Sequence, residues 1–124
     1  AACTEDFQFI HINPDEAKEK AGFDGTIAHG FLVLSLFSNF AIQAAVALER
    51  AQVSINYGFE KLRFLNPVQS GSQVRGRFVL ADAVERKPDQ WLLSYDVTVE
   101  IEGQSKPAIV ARWIALQILD TEAL

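Results

Sequence analysis

Residues 27–48, IAHGFLVLSLFSNFAIQAAVAL, decide how this chain folds. Leu32, Val33, Leu34, Leu36, Phe37, Phe40, Ala41, Ile42, Ala44, Ala45, Val46 and Leu48 leave almost no polar face. A helix that is apolar all round is buried, either in a protein core or in a bilayer. The stretch is long enough to span a membrane. Against that, His29, Ser35, Ser38, Asn39 and Gln43 are spread along it, and no basic flank gives it a topology. The expectation is a long central helix with the rest of the chain wrapped around it.

On its N-terminal side lies a short solvated helix. Asn13 is placed to cap it and Pro14 suits its first position. Asp15 and Glu16 complement the positive end of the helix dipole, and Gly22 ends the helix. Asp24 or Thr26 is then available to cap the central helix. After Arg50 the hydrophobic period changes from helical to alternating. AQVSINYGFEKLRFLNPV places Val53, Ile55 and Tyr57 on one side. SQVRGRFVLADAVERK places Val74, Gly76, Phe78 and Leu80 on one face, with Arg75, Arg77 and Val79 on the other. QWLLSYDVTVEIE alternates strictly through Leu93, Tyr95, Val97, Val99 and Ile101. KPAIVARWIALQIL is apolar on both faces in places, as a central strand is. Helices followed by a run of strands give an α+β fold, with four antiparallel strands curled around one apolar helix. Such a sheet keeps free edges, and edge-to-edge pairing of two copies would close one.

The 124 residues fit one domain over 1–124. A net charge of −5 argues against nucleic-acid binding, which wants a basic footprint. Cys3 is the sole cysteine, so no intramolecular disulfide forms and a reducing cytoplasm is compatible. Residues 1–10 lack the basic region and apolar core of a signal peptide.

Two places carry chemistry. A carboxylate and an imidazole brought together can hold and polarise a water, and Asp6 and His11 are such a pair. Their spacing of five does not share a helix face, so a loop or bend must bring them together. Spacing alone equally allows a surface aspartate and a packing histidine. The second place is GTIAHG, residues 25–30, at the start of the central helix. Free N–H groups there can stabilise an oxyanion, and Gly30 lets a ligand approach the backbone. Gly30 could equally serve tight helix–sheet packing, and His29 reads as structural rather than catalytic.

The stretch from Asp6 to Leu36, DFQFIHINPDEAKEKAGFDGTIAHGFLVLSL, resembles the hydratase-2 motif of the MaoC-like dehydratases, the (R)-specific enoyl-CoA hydratases. YGFEKLRFLNPVQSGSQVRGR resembles them more weakly. The resemblance implies a hot-dog fold: a long helix wrapped by a curved antiparallel sheet, dimerising so that the sheets join. It places Asp6 and His11 on the family's catalytic acid and histidine, and Gly30 on the glycine whose N–H forms the oxyanion hole. Gln8 and Phe9 stand where Asn and Pro are usual, which is the pattern of the NodN-like branch. The family carries a strand and a helix ahead of the aspartate, so the domain is expected without its first strand.

The resemblance also implies an acyl-CoA substrate along the dimer edge. Lys61, Arg63, Arg75 and Arg77 are the candidate phosphate partners, with a solvated strand face as the alternative. The expected activity is reversible hydration of trans-2-enoyl-CoA by a homodimer or a multiple of it. No cofactor is expected beyond the coenzyme A of the substrate, and no metal, because the sequence clusters no ligand set. The alternatives are a noncatalytic acyl-CoA-binding or interaction module and a hot-dog thioesterase. The latter would want an acid on the central helix, where residues 31–48 have none.

Overall fold

The computed structural model describes residues 1–44 and 46–122. Four helices come first: α1 (Phe9–Ile12), α2 (Pro14–Ala21), α3 (Gly30–Ser35) and α4 (Phe37–Gln43). Four strands follow: β1 (Ala51–Phe64), β2 (Val74–Lys87), β3 (Gln90–Ile101) and β4 (Ile109–Leu119). They form one antiparallel sheet in the order β1-β4-β3-β2. This is the expected α+β layout, with β4 and β3 in the middle. β3 buries Leu93, Tyr95, Val97, Val99 and Ile101, every second residue, as its alternation requires.

α2 follows its local signals. Asn13 accepts a hydrogen bond from the Glu16 N–H at 3.2 Å, Pro14 opens the helix, and Gly22 closes it with φ 73°.

The central helix departs from the reading of residues 27–48. It runs from Gly30 to Gln43 in two pieces, interrupted at Leu36. No Asp or Thr caps it: His29 stands at the N-cap without a side-chain cap bond, and the Thr26 hydroxyl pairs with that of Ser70 at 2.8 Å instead. Residues 27–48 also include Ala45, which lies outside the described residues. Among the described residues, only one face of it is covered. Val33, Phe37 and Phe40 enter the core, while Phe31 and Ile42 are 75 % and 78 % exposed. Among the described residues no helix is long and apolar enough to cross a membrane.

The core lies between that face and the inner surface of the sheet, where Phe37 meets Trp113 edge-on at 5.9 Å. Gly76 makes room for it. A Cβ there would lie 2.9 Å from the Phe40 ring, so α4 can sit against β2 only over a glycine.

β1 sets Val53 and Ile55 on one side, and the register shows that side to be the outer one. Its register pairs Val53 with Ile118 and Ile55 with Leu116, whereas Ser54 faces the buried Gln117. Paired residues share a face, so Val53 and Ile55 point away from the helices. Leu80 of the edge strand β2 pairs with the inward Tyr95 yet is 57 % exposed.

Candidate active site

Asp6 and His11 come together through a bend, as their spacing demands. The Gln8 N–H donates to one Asp6 carboxylate oxygen at 3.1 Å, turning the chain into the single turn of α1. The other oxygen faces His11 Nε2 at 3.8 Å. The His11 side chain is buried and that of Asp6 is half-exposed. His11 Nδ1 lies 2.7 Å from the Ile27 carbonyl. A carbonyl only accepts, so Nδ1 carries the proton and Nε2 is the nitrogen left to face Asp6.

The loop that bears Ile27 is fixed on both sides. The Ile27 N–H donates to Ile10 O at 2.9 Å and the Ala28 N–H to Val68 O at 2.7 Å. Gly30 follows directly. Its N–H, in the first turn of α3, has no intrahelical acceptor, and none is found for it among the described residues. His11 and Gly30 line the same cleft, about 360 Å³ in volume, with Val33, Phe64, Leu65 and Ile109 as apolar wall. A Cβ on Gly30 would meet the Phe64 ring at 3.0 Å. The absent side chain at Gly30 is thus matched by a ring on the wall, not by empty space beside the helix.

His29 is the residue that sequence reasoning set aside. Its ring stacks on His11 with centroids 3.8 Å apart and planes 21° from parallel, and its Nε2 lies 2.9 Å from the Asp6 carbonyl. The available signal was compositional: the chain has two histidines, and both stand in the motif. Asp6, His11 and His29 bring three ligand atoms within 4.8 Å of one another. An imidazole binds an ion in its ring plane. Two planes so nearly parallel meet only far outside the site, so these rings do not converge on a common ion as they stand.

The four basic candidates do not form one set within the chain. Lys61 and Arg63 lie on β1 while Arg75 and Arg77 lie on β2, and these strands are the opposite edges of the sheet. Arg75 and Arg77 are also both paired with Glu100. Sequence proximity brought them together; the strand order β1-β4-β3-β2 inserts β4 and β3 between them.

Residues 1–101 match the MaoC like domain family. The chain belongs to that family. Nodulation protein N of Rhizobium meliloti is 46 % identical over 116 residues, covering 94 % of this chain and 72 % of the relative. The 3-hydroxyacyl-thioester dehydratase Z of Mycobacterium tuberculosis is 39 % identical over 115 residues, covering 92 % and 74 %. The solved (R)-hydratase from A. caviae involved in PHA biosynthesis superposes with a TM-score of 0.74 at 29 % identity, covering 93 % of this chain and 80 % of that one. The MaoC-like domain is thus a hot-dog fold, and its relatives include both a dehydratase and a hydratase.

Proposed function

We propose that this MaoC-like domain hydrates trans-2-enoyl-CoA reversibly to (R)-3-hydroxyacyl-CoA. The observation that carries the proposal is the 3.8 Å gap between His11 Nε2 and the Asp6 carboxylate. It is too long for a direct hydrogen bond and suits two groups that share one water. The apolar cleft beside them suits an acyl chain, and the free Gly30 N–H suits the thioester oxygen.

In the forward direction Asp6 takes a proton from the water and the hydroxyl adds to C3. Charge moves to the thioester oxygen, where the Gly30 N–H stabilises the enolate. A protonated His11 delivers its Nε2 proton to C2. Transfer of a proton from Asp6 to His11 restores the starting state, so one water is consumed and nothing else. Throughout, the Nδ1–H bond to Ile27 keeps the ring aimed. Of the basic residues, Arg63 stands next to the cleft-wall residue Phe64 on the edge strand β1, with its side chain on the opposite face of the sheet, and is our candidate for coenzyme A phosphates that reach over that edge. A second copy joined along β1 would complete the assembly.

The test is incubation with crotonyl-CoA while the enoyl absorbance and free thiol are followed. Loss of absorbance without thiol supports hydration. Thiol release would mean a thioesterase, and no change in either would mean a binding module.

A further inference from the structure

We propose that His29 is the positioning residue of the dyad: it holds the Asp6 backbone and the His11 ring in register with one another. The hydrogen bonds of residues 1–7 carry the argument. Thr4 and Glu5 N–H donate to Ala1 O, Asp6 N–H donates to Thr4 Oγ1, and Gln8 N–H donates to the Asp6 side chain. All of these stay within residues 1–8. Among the described residues, the bond from His29 Nε2 to Asp6 O is the one hydrogen bond that ties this segment to the body of the protein. The 3.8 Å approach of the Asp6 carboxylate to His11 is too long to replace it.

Everything else in the site is anchored independently. His11 is held by Ile27 O, and the loop at 26–28 by Ile10, Val68 and Ser70. Asp6 is the exception, half-exposed on a segment with its own local turns. His29 is suited to hold it. It is 8 % exposed, so it has little freedom of its own, and it immediately precedes Gly30. Its flat ring lies against that of His11, so one side chain sets both the distance and the tilt of the pair. Because a carbonyl only accepts, the bond to Asp6 O also fixes the proton on His29 Nε2. His29 is not itself among the residues that line the cleft; it acts through Asp6 and His11, which it touches.

This role rests on the hydratase reading, and the experiment separates the two. His29→Phe keeps a ring to stack on His11 and removes the donor. His29→Gln sacrifices the stack and offers an amide N–H near the position of Nε2. Two quantities are measured for the wild type and both variants: kcat and KM for crotonyl-CoA per folded site, and backbone 15N relaxation at residues 5–8. In His29→Phe, kcat should fall by about thirtyfold to a hundredfold with KM changed little, since ångström-scale misplacement costs on that order. Residues 5–8 should become mobile, and His29→Gln should restore part of both. Normal turnover per folded site in His29→Phe, or unchanged order at residues 5–8, overturns the proposal even if the melting temperature drops. A wild type that hydrates no enoyl thioester, with residues 5–8 still loosened by His29→Phe, refutes the hydratase reading and supports the tether.

Discussion

Asp6 and His11 act through their separation, so the clearest single-residue predictions concern that gap. Asp6→Asn and His11→Gln should each lower kcat by at least about a hundredfold, as general acid–base groups do. The double variant should be little worse than either single one, because a pair that shares one water fails as a unit. Multiplicative losses, or near-normal single variants, would contradict the assignment. Gly30 calls for a different measurement, because its missing Cβ faces the Phe64 ring at 3.0 Å. Gly30→Ala asks that half-exposed ring to give by a few tenths of an ångström, and it keeps the N–H. Turnover should change little. Gly30→Val displaces Phe64, and with it the wall of the cleft. Loss of the oxyanion contact would then cost about 3 kcal/mol in the barrier. A Gly30→Val protein that melts early but keeps its kcat per folded site would leave Gly30 as packing alone. Spacing alone left these three residues open, and the resemblance of Asp6–Leu36 singled them out; the structure brings Asp6 to His11 and sets His11 and Gly30 in one cleft. His29 was not legible in its role, since a stack and a backbone tether are properties of three dimensions.

The same division holds for the elements. β3 and β4 could be read outright, because a central strand is buried on its inner face along its whole length and its sequence shows it. β1 could not. Its alternation was visible, but an edge strand does not announce which face is inward, and a bulge between Asn56 and Gly58 shifts its register. The four basic residues do not form one set for a related reason: the connection from β1 to β2 crosses the sheet, so these sequence neighbours end on opposite edges. What the register now offers is a packing test. Gly76→Ala puts a methyl 2.9 Å from Phe40 and should destabilise by about 1–3 kcal/mol, as overpacking does. Phe40→Leu in the same chain should recover part of that in urea unfolding; no recovery would mean the clash lies elsewhere. On the opposite face, the hydrogen bond from Arg75, with Arg77 beside it, holds the Glu100 carboxyl below its usual range. Arg112 does the same for Asp96. A carboxyl depressed in the folded state adds stability above its unfolded pKa and loses it as pH falls through the folded one. Between pH 7 and about 5 these groups should therefore leave the melting temperature unchanged. Below about pH 4 the wild type should lose more stability than Glu100→Gln, by a modest margin because both pairs are exposed. Greater acid sensitivity in the variant would reverse the sign and reject the account.

For the whole molecule the question is what covers the outer side of the helices. A single chain leaves Phe31 and Ile42 mostly in water, with Phe59 and Phe64 of β1 at 40 % and 49 % exposed. Surfaces of that kind mark interaction sites more often than free solvent boundaries. β1 is also a sheet edge, with backbone groups on one side that no other described strand pairs. Edges of this length are normally protected, and β1 carries no proline to protect itself. The proposed second copy would answer both demands at once. Two β1 strands related by a two-fold axis would run antiparallel, join the sheets, and bring each copy's Ile42 region against the seam. Ile42 borders the cleft between α4 and β1 that Asn56 and Ser54 also line, so it lies where such a seam would press. Light scattering at micromolar concentration should give a mass of twice the chain or a multiple of it. Ile42→Glu places a charge in the seam without touching the Asp6–His11 site, and it should shift that mass toward the monomer. The helical signal should persist, because a residue that is 78 % exposed adds little to the fold of one chain. A wild type that stays monomeric would refute the pairing. An Ile42→Glu variant that stays dimeric would move the seam away from α4 and leave β2, the other edge, as the place to look.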